Sequence, residues 1–179
     1  MPGITIRPAV GADADAIAVV HVRSWQAAYR GLMPQDYLDQ LDPARRAERW
    51  RQVLAETEPA RGGVLVAQDE AAPGGPRIVG FAGYQPTRDA DSDPAVTGQL
   101  STIYLVPEAW GTGTGRRLLA GAVTGLTAAG YADAALWVLD GNERACRFYA
   151  AAGWAPDGTH QDDNRAGFTL HELRYRRAL

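Results

Sequence analysis

Leu105-Val106-Pro107-Glu108-Ala109-Trp110-Gly111-Thr112-Gly113-Thr114-Gly115-Arg116-Arg117 is the stretch on which the fold turns. Its apolar start closes a strand, Pro107 stops that strand, and glycines at alternate positions lead into a helix. Glycine lets the backbone turn tightly and approach a ligand without a Cβ clash. The unpaired N–H groups and positive dipole end of the following helix then face an anion such as a pyrophosphate. Arg116 and Arg117 occupy the first helical turn, where a cation costs about 0.3–1 kcal/mol unless an anion offsets it. A solvated face accounts for either arginine equally well. A dinucleotide site of the G-x-G-x-x-G type needs a third glycine where Arg116 or Leu118 stands. Asp140 sits where a ribose-binding acid would, yet too few residues follow it to build a doubly wound sheet.

Upstream of the loop, 4–7 alternates apolar and polar and reads as a first strand. Asp13 is placed to cap a helix reaching about residue 29, and a loop with Gly31 and Pro34 follows. Asp42-Pro43 supplies an N-cap and a first-turn proline for a second helix to about residue 56. Strands are expected over 64–68 and 78–84, joined through the turn-forming segment 71–77, and over about 98–106. Downstream, the helix from Gly113 runs to about residue 129 and ends at Gly130, a left-handed cap position. A strand over 134–139, a helix over 142–152 and two closing strands ending near Arg174 complete the reading. No internal repeat or linker divides the chain, so 1–179 is read as a single domain.

After the strand ending at Leu139 comes a second cluster: Asn142, Ala145, Phe148, Tyr149, Gly153 and Trp154. Asn142 alone reads as an N-cap. Tyr149 alone reads as core, since Ala145, Phe148, Tyr149 and Ala152 share one helical face. Together with the glycine loop they change meaning. The segment from about Leu100 to Trp154 resembles the GNAT superfamily of acetyl-CoA-dependent N-acetyltransferases. The family's Q/R-x-x-G-x-G/A loop falls on Trp110 to Gly115, and its N-x-x-A…F-Y…G-F/W pattern falls on the second cluster.

The resemblance implies an α/β fold: a mixed, mostly antiparallel sheet of about seven strands, flanked by about four helices. The sheet would be splayed between the strands ending at Val106 and Leu139, with pantetheine in the cleft against the backbone of Leu105 and Val106. It further implies that Gly111, Thr112, Gly113, Thr114, Gly115 and Arg116 hold the pyrophosphate, that Asn142 contacts the cofactor, and that Tyr149 protonates the departing thiolate. Acetyl-CoA would be the acetyl donor and an amine of a small molecule, peptide or protein the acceptor, with a homodimer compatible with the family. Two positions depart from the pattern. Trp110 replaces the usual Gln or Arg and loses a side-chain contact. Gln99 stands where many relatives carry a glutamate base, and an amide cannot take a proton.

Composition bounds the alternatives. A formal charge of −3 argues against nucleic-acid binding and mildly favours a cationic acceptor. All the basic residues are arginine, so a Walker-type phosphate-binding lysine is excluded. Cys146 is the lone cysteine, which leaves no disulfide framework and no cysteine metal cluster. It reads as helix packing rather than as an acyl carrier. His21, His160 and His171 lack metal-ligand spacing, so no metal is expected. Asp13 and Asp15 interrupt any apolar run near the start and nothing approaches a membrane span, which places the chain in the cytoplasm.

An alkylamine of pKa ~10.4 is about one part in a thousand neutral at pH 7, so its deprotonation needs help. A leaving thiolate of pKa ~8.5 gains from a tyrosine donor, and a backbone N–H near Val106 is placed to receive the oxyanion. Trp25, Tyr29, Met33 and Tyr37 are read as the acceptor pocket. Asp36, Asp39, Asp89, Asp91 and Asp93 are read either as solvated turns or as attractors of a cationic amine. A non-catalytic acyl-CoA-binding module would keep the glycine loop and dispense with Tyr149.

Overall fold

A computed structural model describes residues 3–164 and 167–179. The chain runs β1 (Ile4–Pro8), α1 (Ala14–Ala28), α2 (Gln35–Asp39), α3 (Pro43–Glu56), β2 (Gly63–Asp69), β3 (Arg77–Pro86) and β4 (Thr97–Leu105). It continues through α4 (Thr114–Ala128), β5 (Asp133–Leu139), α5 (Glu143–Ala150), β6 (Ala155–Asp163) and β7 (Leu170–Ala178). The strands form one seven-stranded sheet in the order β1-β2-β3-β4-β5-β7-β6. Among the described strands, β4 and β5 pair in parallel and the other neighbours antiparallel.

Alternation along β3 sends successive side chains to opposite faces. Phe81 packs edge-on against Trp50 of α3 at 4.9 Å and against His21 of α1, so these helices cover one face. At its neighbour Gly80 a Cβ would meet Leu118 of α4 at 3.0 Å, which places α4 on the other face. Ile17, Phe81, Leu118, Leu126 and Leu136 are almost wholly buried between these layers. Each such side chain stabilises by about 1.5–3 kcal/mol. Close approach of α4 depends on Gly125, where a Cβ would lie 2.3 Å from the Tyr84 ring.

Asp42 caps α3 as the sequence suggests, its Oδ1 accepting from Ala44 N at 2.9 Å. Asp13 does not cap α1. Its carboxylate accepts from both Arg7 terminal nitrogens (2.7 and 2.9 Å) and from Val10 N (2.8 Å), tying a 3-10 turn at Gly11–Asp13 to β1. Arg7 thereby holds this carboxyl below its usual range. The expected loop at 30–42 contains the short α2, which seats Leu38 in a small cluster with Met33, Leu139 and Leu170. The last strand continues past Arg174 to Ala178 because its residues 172–178 pair with the whole of β5.

Candidate active site

The cleft comes from a fault in strand pairing. Between β3 and β4 the register passes from Gly83↔Thr102 to Tyr84↔Leu100, leaving Ser101 as an extra residue that bends β4. Parallel pairing of β4 with β5 covers only Thr97–Gln99 against Asp133–Ala135. Beyond it the strands diverge around a cavity of about 750 Å³.

Pairing also decides which backbone groups face that cavity. Val106 N donates to Val79 O at 2.9 Å, and Val106 O accepts from Ala109 N, so both polar groups of Val106 are engaged. Val106 therefore has no free N–H to pair with pantetheine, which corrects that expectation for Val106 alone. In an antiparallel ladder the intervening residues point the other way. The N–H groups of Ile103 and Leu105 therefore face the cleft, and both residues line it. Leu105 O accepts from the Trp110 indole at 3.0 Å.

At the cavity mouth Gly111 (φ 74°) and Gly113 (φ 86°) take left-handed backbone conformations, Gly113 as the N-cap of α4. Nothing lies within 4 Å of where a Cβ on either would stand, so the space beside the helix N-terminus is open. Gly115 and Arg116 line the cavity. Thr112 and Thr114 do not. Thr112 Oγ1 donates to Ala109 O (2.8 Å) and the two threonine hydroxyls meet at 2.9 Å, so these side chains brace the turn from inside. Gly113→Val is expected to leave the chain folded, at a strain cost of about 1–3 kcal/mol. CoA affinity should fall at least about tenfold by calorimetry as the branched Cβ enters the open space. Unchanged affinity would reduce the loop to a turn.

Asn142 does two jobs. Its Oδ1 accepts from Ala145 N at 3.2 Å, capping α5, and the residue also lines the cavity, leaving its amide N–H groups for a ligand. Tyr149 is buried on the same wall, its ring edge-on to Phe148 at 5.3 Å. Burial, then the neighbouring Tyr104 and Cys146, push its hydroxyl well above the usual phenol range. Tyr149 thus stays protonated at neutral pH. Burial raises Tyr29 and Tyr104 as well.

His21 stacks on Tyr104 at 5.1 Å, and its Nδ1 accepts from Trp50 Nε1 at 3.1 Å, which puts the ring proton on Nε2. Burial, with Arg46 second, pushes its pKa down to about 3. An unfolded histidine takes up its proton near pH 6.5. The folded chain resists until about pH 3. The stability carried by the neutral ring is therefore full above pH 6.5 and is lost as pH falls, at about 1.4 kcal/mol per unit. In urea melts between pH 6 and pH 4.5, His21→Gln should flatten this slope. An identical slope in the variant would assign acid lability elsewhere.

Trp25, Tyr29 and Met33 line the cavity as expected, but Tyr37 packs on Phe168 at 5.1 Å instead. Gln99 lines it too, with its Oε1 buried and without a hydrogen-bond partner. The acidic residues of 89–93 are turned to other work. Asp89 and Asp91 bind Arg174, while Asp93 accepts from Ala95 N within its own turn. Asp36 and Asp39 are exposed on α2. The carboxylates on the cavity wall are Asp163 and Glu172, which sequence reading missed. The β6–β7 register places them there, and Gln161 Nε2 donates to Glu172 at 2.6 Å. Cys146 is half-buried beside Tyr175. Among the described residues no group of His, Cys, Asp or Glu is arranged to hold a metal, and no helix is long and apolar enough to cross a membrane.

A mixed sheet opened by a bulge, with a glycine-rich helix start at the mouth, defines the class of acyl-transfer folds that the sequence resembled. The profile of the Acetyltransferase (GNAT) family matches residues 23–154. The chain belongs to this family. It is 33% identical over 171 residues to the uncharacterized N-acetyltransferase YuaI of Bacillus subtilis, covering 95% of this chain and 90% of that one. It is 29% identical to a mycothiol acetyltransferase of Nocardioides over 90% of this chain and 52% of the relative. The fold is shared with the PaiA N-acetyltransferase of Thermoplasma acidophilum in complex with coenzyme A (TM-score 0.72, 18% identity, 98% and 99% covered). It is shared as well with a phosphinothricin acetyltransferase of Sinorhizobium meliloti in complex with AcCoA (TM-score 0.71, 23% identity, 99% and 89% covered).

Proposed function

We propose that this chain transfers the acetyl group of acetyl-CoA to a primary amine. The observation that carries this reading is a protonated, buried Tyr149 on the wall of a cleft whose mouth is the glycine loop. The residues fit the donor: a backbone cradle open at Gly111 and Gly113, a cationic Arg116, and unpaired strand amides along Ile103 and Leu105. Acetyl-CoA supplies an acetyl thioester when bound. The Ile103 and Leu105 N–H groups are placed to face charge developing on a carbonyl oxygen, and Tyr149 holds the proton for a departing sulfur. Gln99 cannot accept a proton. The acceptor's proton is assigned to Glu172, a carboxylate on the same cavity wall. With Asp163 beside it, this wall favours an ammonium over a neutral or anionic acceptor.

The test is release of free CoA thiol from acetyl-CoA across a panel of amines, read with a thiol reagent. Thiol release with a cationic amine, together with thermal stabilisation by acetyl-CoA but not by NAD or ATP, is expected. A ligand at 100 times its Kd stabilises by about 2.7 kcal/mol, readily seen in a melt. Stabilisation by acetyl-CoA without thiol release from any amine would make the chain an acyl-CoA-binding module.

A further inference from the structure

We propose that Arg144, carried on the Trp110 indole, is the side-chain contact for the phosphates at the nucleotide end of the bound acyl-CoA. The inference rests on the acetyl-CoA reading above and deepens it. Trp110 stands where a polar side chain usually serves the loop, and its replacement is fixed in place: the indole N–H donates to Leu105 O at 3.0 Å. Its ring face is covered by the Arg144 guanidinium, 3.6 Å from the centroid. Arg144 comes from the start of α5, after β5, whereas Trp110 follows β4. The pair therefore spans the two arms of the cleft. Both residues line the cavity beside Gly113 and Arg116.

Stacking occupies the face of the guanidinium and leaves its in-plane N–H donors for an oxyanion, the geometry that suits phosphate. Nearby carboxylates are engaged elsewhere. Glu143 pairs with Arg147 at 2.9 Å, and Glu108 pairs with Arg23 at 2.6 Å. Among the described residues no carboxylate lies within ion-pair distance of Arg144. Partial burial lowers its pKa, but a guanidinium stays charged across the working range. A half-shielded cation with no counter-charge among the described residues, held rigidly at the mouth of an anion-binding loop, asks for an anion from outside.

Arg144→Gln keeps the reach and removes the charge. Binding of CoA, 3′-dephospho-CoA and pantetheine to wild type and variant should be measured by calorimetry at low and high salt. CoA affinity should fall about tenfold, the scale of a lost charge-assisted hydrogen bond, with a shallower salt dependence, while pantetheine affinity changes less than about twofold. A loss shared by 3′-dephospho-CoA assigns the contact to the pyrophosphate, and a loss confined to CoA assigns it to the 3′-phosphate. Trp110→Leu should match the loss, and the double variant should lose no more than either single one. Unchanged CoA affinity in Arg144→Gln, or an equal loss for pantetheine, would overturn the proposal while leaving acetyl-CoA use intact. Failure of the wild-type chain to bind CoA would overturn both.

Discussion

Tyr149→Phe is expected to leave fold and acetyl-CoA affinity nearly unchanged while turnover falls by roughly 10²–10⁴, the range of a lost general acid. The ring of Tyr149 packs against Phe148 and Tyr175, and phenylalanine keeps that packing. Only the hydroxyl is removed. Because burial raises its pKa, the wild-type hydroxyl keeps its proton well into the alkaline range. The rate of the native enzyme should therefore show no loss between pH 8 and pH 9.5 that the variant lacks. The variant's deficit should shrink with a thioester whose thiol has a lower pKa, since that leaving group needs less protonation. Steady-state rates with both donors check this, and a fully active phenylalanine variant would leave Tyr149 as packing alone.

Arg174→Met should be the most destabilising of the substitutions considered. Arg174 is 4% exposed and binds Asp157 through Nε at 2.7 Å, with Asp91 (2.7 and 2.8 Å) and Asp89 (3.2 Å) on its terminal nitrogens. Its removal strands Asp89, which is nearly as buried as the arginine. Breaking a buried pair from one side costs about 3–5 kcal/mol. Asp91 is more than half exposed and can return to water. A loss of about 2–4 kcal/mol, or a Tm lower by about 5–15 °C, is therefore expected. Asp89 also accepts from the Trp137 indole at 2.9 Å, and Trp137 lines the cavity. Substrate KM should accordingly rise in the same variant. A melt within 1 kcal/mol of wild type would show that the three carboxylates are adequately solvated without the arginine.

What the sequence made legible was local. The Asp42 cap, the glycine loop and the Asn142 cap are each built from residues a few positions apart, and each stands where the sequence put it. Asp13 misled because its carboxylate is claimed by Arg7, a partner on β1 that helix-capping rules ignore. Apart from Tyr37, which packs on Phe168, the errors of substance lie in strand register. Which of Leu105 and Val106 faces the cleft depends on the ladder with β3, and the extra Ser101 has no signature in composition. Glu172 and Asp163 reach the cavity only through the β6–β7 hairpin. The binding of Asp89 and Asp91 by Arg174 joins positions more than eighty residues apart.

The short seam between β4 and β5 has one more consequence. Mechanically the sheet is two plates, β1–β4 and β5–β7, riveted along three register pairs and gaping beyond them. The inner margin of one plate carries the amides of Ile103 and Leu105, too far from its counterpart to be satisfied across the gap. An extended molecule bearing amide groups of its own can lie there as a surrogate rung. Occupancy would then stiffen the seam that the bulge had left open, so the same fault in pairing that makes room for a substrate also makes the substrate part of the framework.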